Sequence, residues 1–329
     1  MSAPEAVDRV RWPLVVKLGI GLVTLAVVGG AAVLVFGVFL ADRSDEPSRI
    51  ITQLDDPVAP VALADGGFLV AERQSGRILR STPAGELTET VRVTDELRTD
   101  GQRGLLGLAL RRVGEVTEVF ASWTRASDDR LVVGRLVEGG QMLVWEGPPS
   151  ADIANGGTLV FRGEHLLIGV GELDDPSAVD DPSVPNGKVL ALDPDGGPGQ
   201  DPSVVASGWH NPFAITVVGD EIWLADNAPG DEPERLVRIP FEGEPSMLEL
   251  EEKRAPSSLD VLPDGDLVLC GFVSEVVERV PTPVEGVVAP TEELGPPCAT
   301  GVTVLADGSV VTTTADAVWR DPSPPEPSP

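Results

Sequence analysis

The chain has 329 residues, enough for one large domain or two small ones, and 42% of them are hydrophobic, enough for a sizeable core. Its 53 Asp and Glu against 24 Lys and Arg give a formal charge of −29, which excludes an electrostatic grip on nucleic-acid phosphates. With 36 glycines, 31 prolines and few aromatics, and no collagen-like period, the composition favours many turns over long helices.

A short tail, residues 1–17, carries Arg9, Arg11 and Lys17. Residues 18–41 then form an apolar run interrupted only by Thr24, long enough as a helix to span the roughly 30 Å hydrocarbon core of a bilayer. Its exit, "FGVFLADRSDEP", has Phe39 two positions before Ala41 and lacks the small-x-small pattern of a cleavage site. This predicts an uncleaved transmembrane signal anchor, with the C-terminal domain outside the cell membrane. Residues 42–49, "DRSDEPSR", read as a polar linker, and the Pro-rich residues 321–329 as a disordered tail.

Between these lies a repeat. "VALADGGFLVAERQSGRILR" reads strand, turn, strand, turn, strand. "LDVLPDGDLVLCGFVSEVVERV" and "VTVLADGSVVTTTADAVWR" repeat it. "ITVVGDEIWLADNAPGDEPERLVRI" is a longer copy, "TLVFRGEHLLIGVGE" a shortened one, and "GEVTEVFASWTRASDDRLVVGRL" a sixth. Their central turns fall near residues 65, 115, 163, 220, 265 and 308. Strands repeated at this period with no helical segment between them predict an all-β, six-bladed β-propeller over residues 50–320. Cys270 and Cys298 fall at the fifth and sixth copies, where adjacent blades would bring them together. A disulfide and two buried thiols both remain open.

Four stretches in order carry a family resemblance: "TDGQRGLLGLAL" (Thr99 to Leu110), "DIANGGTLVF" (Asp152 to Phe161) with "NGKVLALDPDG" (Asn186 to Gly196), "SGWHNPFAIT" (Ser207 to Thr216) and "ADNAPGDEPERLVRI" (Ala225 to Ile239). Together they resemble the glucose/sorbosone dehydrogenase family, six-bladed propellers that use pyrroloquinoline quinone (PQQ) and calcium to oxidise sugars. The resemblance implies that Gln102 lines the pocket. It also implies that His210 and Asn211 face the cofactor, and that the carbonyls of Ala228 and Pro229 ligate calcium, followed by the acidic pair Asp231 and Glu232.

The departures concern the chemistry. Hydride transfer from a sugar needs a base for the hydroxyl proton, and the family's histidine position is Ala154, preceded by Ile153 where an acid is usual. His210 stands in place of an arginine before Asn-Pro, and Cys298 and Thr300 stand where the family carries an Arg-x-Arg-like stretch. Asp152 is a substitute base only if the turn is rearranged, and His165 falls at a blade turn. Asp193, Asp195 and Gly196 loosely resemble a calcium loop without its terminal Glu. This pattern favours a propeller that keeps the family shell and binds a sugar-like ligand or a protein partner in its mouth. The alternatives are an active PQQ- and calcium-dependent dehydrogenase with an altered site, and a lactonase-like hydrolase.

Overall fold

Every residue from Phe68 to Glu72 is buried, and the apolar ones look in two directions. Phe68 and Val70 pack with Leu305, Val311 and Val318, whereas Leu69 and Ala71 pack with Leu105, Ala121 and Trp123. Successive side chains of a strand point to opposite faces. A strand apolar on both faces therefore needs a neighbouring sheet on each side, and a ring of sheets supplies one.

The computed structural model of the chain describes residues 47–83, 85–250, 252–282 and 292–322. They form six four-stranded antiparallel sheets. Strand β1 (Ser48–Thr52) comes first but belongs to the last blade. Blade 1 is β2 to β5 (Pro57–Ala62, Phe68–Glu72, Arg77–Ser81, Leu87–Arg92). Blade 2 is β6 to β9 (Leu105–Val113, Val116–Thr124, Arg130–Val137, Gly140–Pro149) and blade 3 is β10 to β13 (Gly156–Arg162, His165–Val170, Lys188–Leu192, Ser203–Ser207). Blade 4 is β14 to β17 (Ala214–Val218, Glu221–Asp226, Arg235–Ile239, Ser246–Glu249) and blade 5 is β18 to β21 (Pro256–Val261, Leu267–Gly271, Val276–Val280, Glu292–Pro297). Blade 6 combines β22 to β24 (Gly301–Val304, Val310–Thr313, Ala317–Asp321) with β1 as its outermost strand.

The first strands β2, β6, β10, β14, β18 and β22 contact one another in a closed cycle and line the axis. All six turns expected from the repeat join a blade's first strand to its second. Each of the six core clusters lies between two successive blades, so the propeller is held by sheet-on-sheet packing around the ring rather than by one central core. Among the described residues no helix is long and apolar enough to cross a membrane. The anchor expected at residues 18–41 lies outside the described residues, as does the tail beyond residue 322.

Two boundaries differ from the sequence reading. Ser48 and Arg49, expected in the linker, open β1, which pairs Ser48 with Arg320 and Thr52 with Ala317. Asp321, expected in the tail, ends β24. An outer strand buries little; in β1 only Ile51 is fully buried. Its five residues, SRIIT, offer only Ile50 and Ile51 to the core, too short a run to show the pattern of an inner strand. By pairing Ser48–Thr52, which precedes blade 1, with the last blade, β1 closes the ring without a covalent bond. A second closure is the Cys270–Cys298 disulfide, with Cα atoms 5.5 Å apart. It ties the second strand of blade 5 to the connection leading into blade 6, among the apolar residues between those blades.

Blades 1 and 4 share an electrostatic device. Glu72, at the end of β3, is fully buried and pairs with Arg77 at the start of β4; Asp226, at the end of β15, is fully buried and pairs with Arg235 at the start of β16. Burial pushes the Glu72 carboxyl upward, but hydrogen bonds from Arg77, Ser75 and the Asp55 N–H outweigh it and hold the group below its ordinary range. A depressed carboxylate stabilises the fold above its unfolded-state pKa, and that contribution disappears as pH falls through the folded value. Thermal midpoints are therefore expected to hold from neutral pH down to about 5 and to fall below it. In Glu72→Gln the midpoint at neutral pH should be lower and its acid slope shallower. An unchanged acid slope in that variant would assign the pH dependence elsewhere.

Candidate functional site

The six first strands all begin at the same end of the ring, and the segments leading into them form a rim around the axis. Every site residue expected from the sequence lies on this rim except His165 and the loop of Asp193, Asp195 and Gly196, which follows β12 at the other end. His165 is exposed and sits at the far end of β11, five residues from Val170, or about 17 Å along the strand.

Gln102 is exposed on the segment entering blade 2 and is bonded to the segment entering blade 3. Its N–H donates to the Asp152 carbonyl at 2.8 Å, and its side-chain Oε1 accepts the Ala154 N–H at 2.9 Å. Ala154 is buried, with φ +53, and its carbonyl accepts the Leu173 N–H at 3.1 Å. Histidine, asparagine and aspartate occupy this left-handed region more often than most residues. A methyl group, however, accepts no proton.

The next three residues explain the "NGG" of "DIANGGTLVF". Asn155, 1% exposed, donates to the Ala151 carbonyl and accepts the Ala151 N–H, both at 2.8 Å, folding the loop onto itself. Gly156 and Gly157 have φ +66 and +109. A Cβ at Gly156 would lie 2.3 Å from the Gly169 carbonyl oxygen, and one at Gly157 would lie 2.6 Å from the Leu106 side chain. Only glycine fits either position.

Asn211 is buried, and its Oδ1 accepts the Gly156 N–H at 2.9 Å. The side chain thus joins the segments entering blades 3 and 4. Asp226 fixes both residues of the pair from below, accepting the His210 N–H at 3.2 Å and the Asn211 N–H at 2.8 Å. Arg235 bonds Asp226, donates to the Gly208 carbonyl at 3.0 Å and lies over the Trp209 ring.

The His210 ring is held between two carboxylates. Nδ1 lies 2.7 Å from Oε2 of the buried Glu172, and Nε2 lies 3.1 Å from Oε2 of Glu232, whose side chain is 62% exposed. The Glu172 N–H also donates to the His210 carbonyl at 2.7 Å. An imidazole positioned through Nδ1 by a buried carboxylate presents Nε2 as the atom that can hold or pass a proton.

The Ala228 carbonyl accepts the Lys253 ammonium at 2.8 Å, and the Pro229 carbonyl accepts the Glu232 N–H at 3.1 Å. Both oxygens expected on calcium are thus engaged by the chain itself. Asp231 and Glu232 are exposed. Among the described residues, no group of three or more His, Cys, Asp or Glu side chains could hold a metal ion. The loop resembling a calcium site uses Asp195 differently: its carboxylate receives Arg111 at 2.7 and 2.8 Å and Arg135 at 3.2 Å. The hydrogen bond from Arg111 holds the Asp195 carboxyl below its ordinary range. These residues face a hollow of about 650 Å³ at the end of the ring opposite the rim.

The rim's arginines are also paired. Arg73 bonds Asp56 at 2.5 Å and the carbonyls of Gly101 and Arg103. Arg103 bonds Asp100, Ser150 and Asp152. The exposed Asp152, considered as a substitute base, therefore accepts a guanidinium at 2.8 Å. Lys188, 1% exposed, donates to the carbonyls of Asn186 and Val179. Burial pushes its ammonium below the usual lysine range, with Asp181 and Asp180 acting the other way. Thr300 bonds the Pro57 carbonyl at 2.6 Å and Thr313 at 2.8 Å, linking blade 6 to blade 1. A quinone bearing carboxylates would meet arginines already paired with acids and lysines already bonded to carbonyls, and a calcium ion would meet carbonyls already bonded. The residues present fit neither group.

Sequence reasoning singled out Gln102, Ala154, His210, Asn211 and the Ala228–Pro229 carbonyls, and the structure brings them to one rim. It missed Asn155, Glu172, Asp226 and Lys253, which hold that rim in place. A signal for Asp226 was present in the aligned copies, where "VAERQSGRIL" and "LADNAPGDEPERLV" both place an acid at the end of the second strand and an arginine at the start of the third.

The model of the Glucose / Sorbosone dehydrogenase family matches residues 54–232, more than half of the chain. No curated protein matches it in sequence. Among solved structures, an oxidoreductase (glucose dehydrogenase) from Thermus thermophilus is 24% identical, with 84% of this chain and 99% of that one covered and a TM-score of 0.70. The PQQ-bound form of aldose sugar dehydrogenase from Streptomyces coelicolor is 23% identical, with 84% and 98% covered and a TM-score of 0.69. The soluble aldose sugar dehydrogenase from Escherichia coli, in its apo-form, is 18% identical, with 84% and 98% covered and a TM-score of 0.67. At these identities the likeness establishes a shared fold.

Proposed function

The chain belongs to the glucose/sorbosone dehydrogenase family, and from that premise we propose that it is a membrane-anchored, extracytoplasmic propeller with a degenerate active site. In this reading the rim binds a sugar-like ligand or a protein partner and does not oxidise it. The observation that carries the proposal is Ala154. It stands where the family resemblance places the base, and it offers only a buried methyl group, with its N–H and carbonyl both bonded within the rim. The disulfide fits an oxidising compartment and supports export.

The test is dye-linked oxidation of several aldoses by the full-length chain with PQQ and calcium supplied. No turnover above buffer is expected. General-base catalysis is worth about 10²–10⁴-fold, but Ala154→His alone should not restore activity, because the rim arginines and the Ala228 carbonyl remain occupied. Wild-type turnover would overturn the proposal. One observation favours a second reading, an active enzyme with an altered site. The Glu172–His210 pair is a fixed proton-handling unit on the same rim, and its signature would be wild-type activity abolished by His210→Gln.

A further inference from the structure

Lys253 brings a positive charge to a backbone oxygen, and two elements hold it there. Glu234, 1% exposed, accepts the N–H groups of Arg254 at 2.8 Å and Ala255 at 3.0 Å. Its own carbonyl accepts the Leu250 N–H at 2.8 Å. The residues flanking Lys253 are thereby bonded to the segment between β15 and β16. From this backbone the ammonium reaches the Ala228 carbonyl at 2.8 Å, and Ala228 itself is 5% exposed.

Calcium binds oxygens at about 2.3–2.6 Å and takes six to eight of them. An ion on the Ala228 carbonyl would lie within roughly 5 Å of the ammonium, two like-signed charges competing for one oxygen. The neighbouring Pro229 carbonyl already accepts the Glu232 N–H, and no cluster of acidic side chains among the described residues compensates.

We propose that Lys253 is a built-in cation that takes the place of a metal ion at the Ala228 carbonyl, so that this side of the rim is ordered without calcium. The geometry of Ala228, Glu234 and Lys253 sets this role whatever the rim binds.

The test measures thermal unfolding of the full-length chain and hydrogen exchange over residues 227–234, in a chelator and in millimolar calcium. The wild-type midpoint and exchange should be the same in both conditions. Lys253→Met should lower the midpoint by several degrees and raise exchange in that segment, while Lys253→Arg should retain most of both. If the methionine variant fails to fold, terbium luminescence of the wild type decides instead, with no saturable binding expected. A saturable rise of the wild-type midpoint with calcium, saturable terbium binding, or a folded Lys253→Met chain with unchanged exchange would overturn the proposal.

Discussion

Replacing Asp226 with alanine is expected to cost about 3–5 kcal/mol, the usual penalty for breaking a buried ion pair from one side. The carboxylate has no solvent exposure and serves three donors: Arg235 and the N–H groups of His210 and Asn211. Its removal leaves a guanidinium whose side chain is 22% exposed, partly relieved by the Gly208 carbonyl and the Trp209 ring. It also leaves two backbone donors without their acceptor, each costing about 1–3 kcal/mol if they stay dry. Water reaching the rim sets the lower end of the range. Asp226→Asn, which keeps one accepting oxygen, should lose less. Urea unfolding reads the effect as a lower midpoint at unchanged slope. The Asn211–Gly156 bond depends on the same backbone, so hydrogen exchange should rise over residues 209–213. A loss in Asp226→Ala no larger than that of a surface substitution would show that the pair contributes nothing net.

Opening the Cys270–Cys298 disulfide is expected to destabilise the domain by about 2–4 kcal/mol. The two residues are 28 apart in sequence, and in the chain-entropy account a loop of that size corresponds to roughly 3.5 kcal/mol. Both cysteines are fully buried among Leu262, Val268, Val277, Val302 and Val310, so Cys298→Ser also places a hydroxyl in apolar surroundings. The wild-type melting temperature should fall when a reductant is added. In Cys298→Ser it should start lower and ignore the reductant. A wild-type midpoint insensitive to a reductant that demonstrably opens the bond would show that blades 5 and 6 are held by their apolar contacts alone.

The fold was open to reading because a propeller writes the same physics six times. A strand between two sheets must be apolar on both faces, and its hairpin must carry turn residues. "LADGG", "LPDGD" and "LADGS" therefore recur where β2, β18 and β22 hand over to the next strand. The site was open only in part. Gln102, His210 and Asn211 lie in short motifs that survive as strings. Their present bonds run to residues far away in sequence, from Gln102 to Ala154 and from His210 to Glu172 and Glu232. No local pattern specifies such contacts.

By itself, the sequence determined the number of blades, their turns, the proximity of the two cysteines and the absence of a histidine at residue 154. All of these are local patterns or single identities. The tertiary structure alone decided three things: that Ser48–Thr52 closes the ring, that Asp226 supports the rim, and that Lys253 occupies the Ala228 carbonyl. Ser48–Thr52 brings only two isoleucines to the core, too few to mark it as a strand of the last blade. A lysine on the connection into blade 5 reads as a solvated charge until the closed ring sets it against a carbonyl of the blade before.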